Sequence, residues 1–463
     1  MPAFAPEILE RLGRVIHATS DLVWGPWTMA LLLGSGLFLT LRYSFVQVRR
    51  FPEAARSTLA RSQDGAGGAL TPFQAFMTAL GASIGTGNIA GVATAVVSGG
   101  PGAVFWIWCY GFFATTIKLT EAVLGIRFRR LQGDRVLAGP SLYLRDGLGL
   151  PSLGWLYALV AGVAALTTTP FTQPNSIAVV LESEVATPTW VSGVMVAALA
   201  WLVIIGGIRS IGRAAEALTP LKVGLYLIGG LVVILGHLKE LPATFALIFR
   251  EAFSREAAAG SVAGVGVMVA MRYGLARGIY ANEAGYGTAA VAYGTARSER
   301  PLQQGLNAVM EVFIVSFVTS SISALTILVS GAWKAGRTST AAVAQAFSTV
   351  IPGGGLIVAF CVFLFGYTTL IGWAYYGEQF LEHLFGRRIV MPYRWIYCGL
   401  AFFGATSRVE TVWAWGDLMN GLQIFPNLVG VLGLSGLVAA ILRGGGPEAT
   451  RSAGSRGPGG GAP

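Results

Sequence analysis

Charge is what this sequence has least of. Of 463 residues, 32 are Lys or Arg and 22 are Asp or Glu, a charged fraction of 12%, about half of the ~25% usual in soluble domains. Apolar residues make up 54% and the mean hydropathy is +0.64, so too little polar side chain remains to cover a water-facing surface. A soluble globule is excluded. Cysteine is also scarce: Cys109, Cys361 and Cys398 lie singly in apolar stretches, which argues against a disulfide framework and against structural zinc. The three histidines are His17, His237 and His383, and neither a P-loop GK[ST] nor HExxH occurs. No organic cofactor is expected. Glycine, by contrast, is abundant. The 63 glycines are roughly twice the average usage of ~7%, without a G-X-Y period, which excludes collagen.

A hydrocarbon core about 30 Å thick needs about 20 apolar residues at helical rise. Such segments recur near residues 22–41, 73–98, 102–126, 154–181, 189–208, 219–237, 261–291, 305–331, 354–381, 392–407 and 411–441, giving eleven expected spans, A to K. The net charge of +10 would point toward nucleic acid in a soluble protein. Here the basic residues gather in short connections, and they alternate: 21 Lys and Arg fall in one set of loops and the tail, eight in the opposite set, and Lys118, Arg272 and Arg277 lie within spans. By the positive-inside rule this places the N-terminus outside and the C-terminus in the cytoplasm. The expected setting is a bacterial-type inner or plasma membrane, with lipid as a partner and no nucleic acid. Residues 1–21 form an N-terminal surface segment in which Glu7 to Val15 resembles an amphipathic helix rather than a cleavable signal. Residues 443–463, rich in glycine and poor in anything to bury, are expected to be a disordered tail.

Setting span A aside leaves ten spans, and two groups of five, in 71–237 and 261–441, must enter the membrane from opposite sides because five is odd. Any repeat is therefore inverted, and transporters built this way break the first helix of each half near the midplane. Span B carries Gly81-Ala82-Ser83-Ile84-Gly85-Thr86-Gly87-Asn88-Ile89-Ala90-Gly91, and span G contains the stretch from Arg272 to Gly287 with four glycines and three charges. Unwound backbone in a membrane needs a cavity, a partner or a ligand for its N–H and C=O groups. The N-terminal end of a half-helix offers N–H groups to a carboxylate, and free carbonyls at a C-terminal end suit a cation. A zwitterionic amino acid with sodium matches both. The alternative is that Gly81 to Gly85 and Gly87 to Gly91 are two GxxxG steps for close helix packing.

The residues resemble the alanine or glycine:cation symporters. The stretch from Thr71 to Trp108 looks like that family's longest signature. QPNSIA, RYGLARGIYANEAGYG, TTLIGWAYYGE and VWAWGDLMNGLQIFPNLVG are similar to further ones. The resemblance spans about Trp24 to Leu442. It implies an all-α membrane protein of eleven transmembrane helices, with a leucine-transporter-type 5+5 inverted repeat and one additional N-terminal helix, importing alanine or glycine with sodium. By similarity to the GLGN of neurotransmitter:sodium symporters, the substrate carboxylate would meet main-chain N–H groups near Thr86, Gly87 and Asn88. Gln173 would hydrogen-bond substrate, Trp373 would limit side-chain size, and Gly278 at the second interruption joins these candidates. Sodium would be held by carbonyls of Gly81, Ile84 and Phe365 and hydroxyls of Thr368 and Thr369.

The sequence departs from the family pattern at Val315-Ser316, where related proteins often carry Asp-Thr, and at Pro140-Ser141-Leu142-Tyr143. Lys118 and Glu121, three apart, are positioned to pair on one helix face. Glu283 is a candidate for a gating or structural ion pair. Two other classes stay in view. Gly81-Ala82-Ser83-Ile84-Gly85 formally matches the G-x-S-x-G elbow of serine hydrolases, without the strand before it that the elbow needs. Glycine-rich broken helices can also line a channel.

Overall fold

The computed structural model describes residues 15–59 except 17 and 21, then 67–132, 135–253, 265–337, 339–407 and 409–444. Residues 7–14 of the expected surface helix and 445–463 of the expected tail lie outside the described residues. The chain is almost entirely helical. Helix α1 is Pro26–Arg42, α2 Pro72–Ser83, α3 Ala90–Gly99 and α4 Ala103–Phe128. There follow α5 Pro151–Thr167, α6 Thr169–Val185, α7 Thr189–Ile204, α8 Gly207–Gly236, α9 Val265–Asn282 and α10 Thr288–Gly294. Further along are α11 Pro301–Val312, α12 Ser320–Val329, α13 Gly354–Phe385, α14 Val390–Thr406, α15 Val409–Gly433 and α16 Ser435–Leu442. A short antiparallel hairpin, Arg130–Gln132 with Arg135–Leu137, follows α4.

Among the described residues five helical runs are long and apolar enough to cross a membrane, α4, α8, α13, the continuous run Pro151–Val185 formed by α5 and α6, and the run Pro301–Val329 from α11 through α12, or seven if two bent pairs each count as one span. Helices α1, α7 and α14 have 17, 16 and 17 residues, and α9 carries Arg272 and Arg277. Shortness or charge sets these apart from the rest. Span B is broken as the glycines suggested: α2 and α3 meet at a 58° bend. Span G is interrupted too, between Asn282 and Thr288. Helix α2 starts on a capping box in which Thr71 accepts from the Gln74 N–H and the Gln74 side chain accepts from the Thr71 N–H.

Glycine lets several helices pack backbone to backbone. A Cβ on Gly125 of α4 would lie 2.3 Å from the carbonyl oxygen of Ala290 in α10, and one on Gly274 of α9 would lie 2.5 Å from that of Ala103 in α4. Likewise, a Cβ on Gly404 of α14 would lie 2.2 Å from the carbonyl oxygen of Pro170 in α6. These backbones touch because the side chain is missing. One apolar core cluster runs through the helices, and both breaks are buried within it.

Candidate functional site at two helix breaks

The first break begins where α2 ends at Ser83. Ile84 (φ −79°, ψ 77°) makes a tight turn in which the Gly85 N–H donates to the Ser83 carbonyl at 2.9 Å, Gly85 (φ −104°, ψ −166°) is extended, and one 3-10 turn over Thr86–Asn88 leads into α3. Glycine is required here by proximity. A Cβ on Gly85 would sit 2.7 Å from Thr369 Oγ1, and one on Gly87 would sit 2.5 Å from the Tyr280 ring. Gln173, between Pro170 and Pro174 on α6, accepts a 3.0 Å hydrogen bond from the Thr86 N–H. The Gln173 amide thus occupies a donor assigned by resemblance to a substrate carboxylate. Thr86 Oγ1 and Asn88 Oδ1 are buried with no hydrogen-bond partner among the described residues. Thr369 Oγ1 donates to the carbonyls of Ala82 at 2.8 Å and Gly81 at 3.2 Å.

The second break spans Glu283 to Gly287, where Glu283, Gly285 and Gly287 all have positive φ (57°, 100° and 86°). A non-glycine residue in that region is strained, and Glu283 is held by its side chain. Oε1 accepts from Trp373 Nε1 at 2.6 Å and Oε2 from Thr288 Oγ1 at 2.8 Å. The backbone N–H groups of Gly285 and Gly287 donate to Glu121 Oε1 at 2.9 and 3.1 Å, and Asn427 Nδ2 joins them at 2.7 Å. Asn427 in turn accepts from Tyr143 Oη, in the stretch where the sequence departs from the family pattern.

The expected Lys118–Glu121 pair does not form. Glu121 is drawn to the N–H groups of the second break. Lys118 Nζ instead lies 2.6 Å from Glu311 Oε1 on α11 and donates to Ser83 Oγ at 2.9 Å and to the Asn282 carbonyl at 2.5 Å. One fully buried ion pair therefore grips the last residue of each helix entering a break. Tyr293 Oη completes Glu311 at 2.9 Å. Ser316, at the departure in span H, accepts from Asn282 Nδ2 at 3.1 Å. Ser83, the candidate of the hydrolase pattern, is absorbed in this network: it donates to Glu311 at 2.6 Å and accepts from Lys118.

A tight cleft lies between the breaks, nearly closed, with a volume of about 10 Å³, about the room of one water. Of the residues expected to contact substrate, Gly87, Gln173 and Trp373 line it, with Thr369 beside them. Sequence reading did not assign Tyr280, Tyr286 and Asn420 to the site, and they line it too, as does Glu283. Gly278 does not line it. That residue sits on α9 before the break and faces Ile107 and Tyr110 of α4. Asn88 is turned toward α12, its amide donating to Ser320 Oγ at 3.4 Å.

The acceptors expected to hold sodium are also together, around a group the sequence reading placed in a loop. Lys222 of α8 is fully buried. Its Nζ donates to the Gly81 carbonyl at 2.9 Å, to the Ile84 carbonyl at 2.6 Å and to Thr368 Oγ1. The Phe365 carbonyl accepts from Thr368 Oγ1 at 3.2 Å.

Known proteins agree with this architecture. The chain is similar to MhsT in complex with L-phenylalanine, with a TM-score of 0.56 at 11% identity, covering 82% of this chain and 99% of that one. This is the leucine-transporter fold. At the level of sequence it is 37% identical over 438 residues to the sodium/alanine symporter AgcS of Methanococcus maripaludis, covering 92% of this chain and 95% of that protein. It is 31% identical over 435 residues to the probable sodium/glutamine symporter GlnT of Bacillus subtilis, covering 93% and 90%. The model of the sodium:alanine symporter family matches residues 9–446. With its two breaks, its central cleft and this match over nearly its whole length, the chain belongs to the sodium:alanine symporter family, a family of membrane transporters.

Proposed function

We propose that the protein is a sodium-coupled symporter that imports a small neutral amino acid, alanine or glycine, by alternating access. The observation that carries this reading is the polarity of the cleft. One wall is the first break, with Gly87 at the start of a half-helix and the N–H of Thr86 held by a side-chain amide that a substrate carboxylate can displace. The other wall carries the Glu283 carboxylate, a complement for an ammonium group. A zwitterion satisfies both. Trp373, fixed by its bond to Glu283, and Tyr280, against Gly87, crowd the cleft, which favours a small side chain once it opens. The names of relatives point the same way for sodium and for neutral amino acids, alanine in one and glutamine in another.

In this reading span A precedes a first repeat over 71–237 and a second over 261–441, eleven helices in all, with the N-terminus outside and the C-terminus cytoplasmic. The two repeats move relative to each other around the buried cleft, exposing it to one side and then the other. The test is uptake of labelled alanine and glycine by the purified protein in liposomes under separately imposed sodium and proton gradients. Saturable uptake driven by an inward sodium gradient is expected. Conductance without saturation would make the protein a pore, and uptake indifferent to sodium but driven by a proton gradient would reassign the coupling ion.

A further inference from the structure

The backbone at the first break is arranged as a cation cage, and the chain supplies a cation of its own. Helix α2 ends at Ser83, and the carbonyls of Gly81 and Ile84 at its C-terminal end point to one place. A helix C-terminus carries partial negative charge and favours a positive group. Helix α8 comes close enough to deliver one because position 81 is glycine: a Cβ there would lie 2.6 Å from Thr219 Oγ1, one turn before Lys222. The Lys222 ammonium has three protons, and three acceptors receive them, Gly81 O, Ile84 O and Thr368 Oγ1. The Phe365 ring lies 5.2 Å away on a further side.

Three of the five oxygens that the family resemblance assigns to sodium are therefore saturated by an ammonium, and Thr369 Oγ1 spends its proton on Ala82 and Gly81. A metal ion does not fit beside that charge, since it would meet a like charge at contact distance and find no free acceptors. Nor is Lys222 half of a salt bridge. Among the described residues no carboxylate pairs with it, and its charge is met by neutral oxygens as a bound ion's would be. Glu283, across the cleft, is the acidic group whose field reaches it.

We infer that the Lys222 ammonium is the cation of the first break, a tethered substitute for the metal ion expected there, so that this cage takes no ion from solution. The inference rests on the transporter reading only for its biological sense. If sodium drives transport, it acts at another position. Removing the ammonium should turn the cage into a sodium site, because its oxygens are left unpaired. The test compares the purified full-length protein with Lys222→Met and Lys222→Gln, in sodium and in choline at equal ionic strength and without amino acid. Equilibrium binding of radioactive sodium should count one more ion per chain in Lys222→Met than in the wild type, and adding Thr368→Ala should weaken that extra site at least tenfold. The thermal midpoint of either variant should rise in sodium relative to choline by about 3 °C or more beyond any rise in the wild type. Equal sodium counts, equal thermal responses, or variants that fail to fold in both media would overturn the inference, since a cage that accepts sodium in place of lysine is rescued by it. None of these readouts involves transport, so a protein that carries no alanine would fail the functional reading and leave this one standing.

Discussion

The two breaks solve one problem with opposite charges. At the first, the chain leaves helix α2 and presents carbonyls, and the group that satisfies them is the Lys222 ammonium. At the second, the chain turns through residues of positive φ and presents N–H groups, and the group that satisfies them is the Glu121 carboxylate. Each break is thus closed by a buried ion whose sign is set by which backbone atoms were freed. The Lys118–Glu311 pair is shared, touching the end of the first half-helix through Ser83 and the entrance to the second break through Asn282. Interrupted helices in this membrane protein are specified by the ions that hold them as much as by the glycines that permit them.

The largest effect should come from the shared pair. Lys118→Met leaves Glu311 buried without its cation and should cost about 3–5 kcal/mol, while Lys118→Met with Glu311→Leu should recover part of that loss. Thermal unfolding of the detergent-solubilised protein checks this, and a double variant no better than the single would mean that the pair acts on more than its own charges. Next is Glu121→Ala, which leaves the N–H groups of Gly285 and Gly287 unpaired and should cost on the order of 3 kcal/mol. Glu121→Gln retains an acceptor oxygen and should lose clearly less. If both variants lose the same, charge has no part in closing the second break and the contrast with the first fails. Gln173→Ala touches the first break alone. It removes an amide that lines the cleft and can hydrogen-bond substrate, a loss that should outweigh the freed Thr86 N–H and raise the apparent alanine constant about fivefold, the equivalent of about 1 kcal/mol. Unchanged uptake kinetics would take Gln173 out of the pocket. The smallest effect belongs to a residue remote from both breaks. Asp146, which pairs with Arg130 at 3.0 Å and Arg145 at 2.9 Å, is nudged upward by partial burial but held below the usual carboxylate range by the two arginines. Its contribution is present at neutral pH and lost as pH falls through its lowered value. Asp146→Asn should change stability by less than about 1 kcal/mol, read from thermal midpoints at neutral and acid pH.

Much of this was legible in the residues because glycine marks where backbone must bend or approach closely. The Gly81 to Gly91 run located the first break almost to the residue, and Gln173 and Trp373 both line the cleft beside it. Glycine cannot distinguish a break from a packing contact, however. Gly274 and Gly278 serve helix packing against α4, and the chain comes apart only after Asn282. Lys222 escaped the sequence reading because it was counted with the loop cations that set orientation. A lysine inside an apolar span that begins at residue 219 was the available signal. Glu121 was misread for a related reason. Spacing along one helix says which side chains are neighbours, but the acceptor hunger of a distant loop decides where a carboxylate turns.

The glycine contacts carry a consequence for diversity within such a scaffold. At Gly125, Gly274 and Gly404 the next helix begins where a methyl group would be, so those positions admit no enlargement without pushing whole helices apart. Residues such as Trp373, Tyr280 and Asn420 line the cleft instead, and exchanging them reshapes the chamber while the framework stays put. Cargo preference can therefore drift quickly over an architecture that can hardly drift at all.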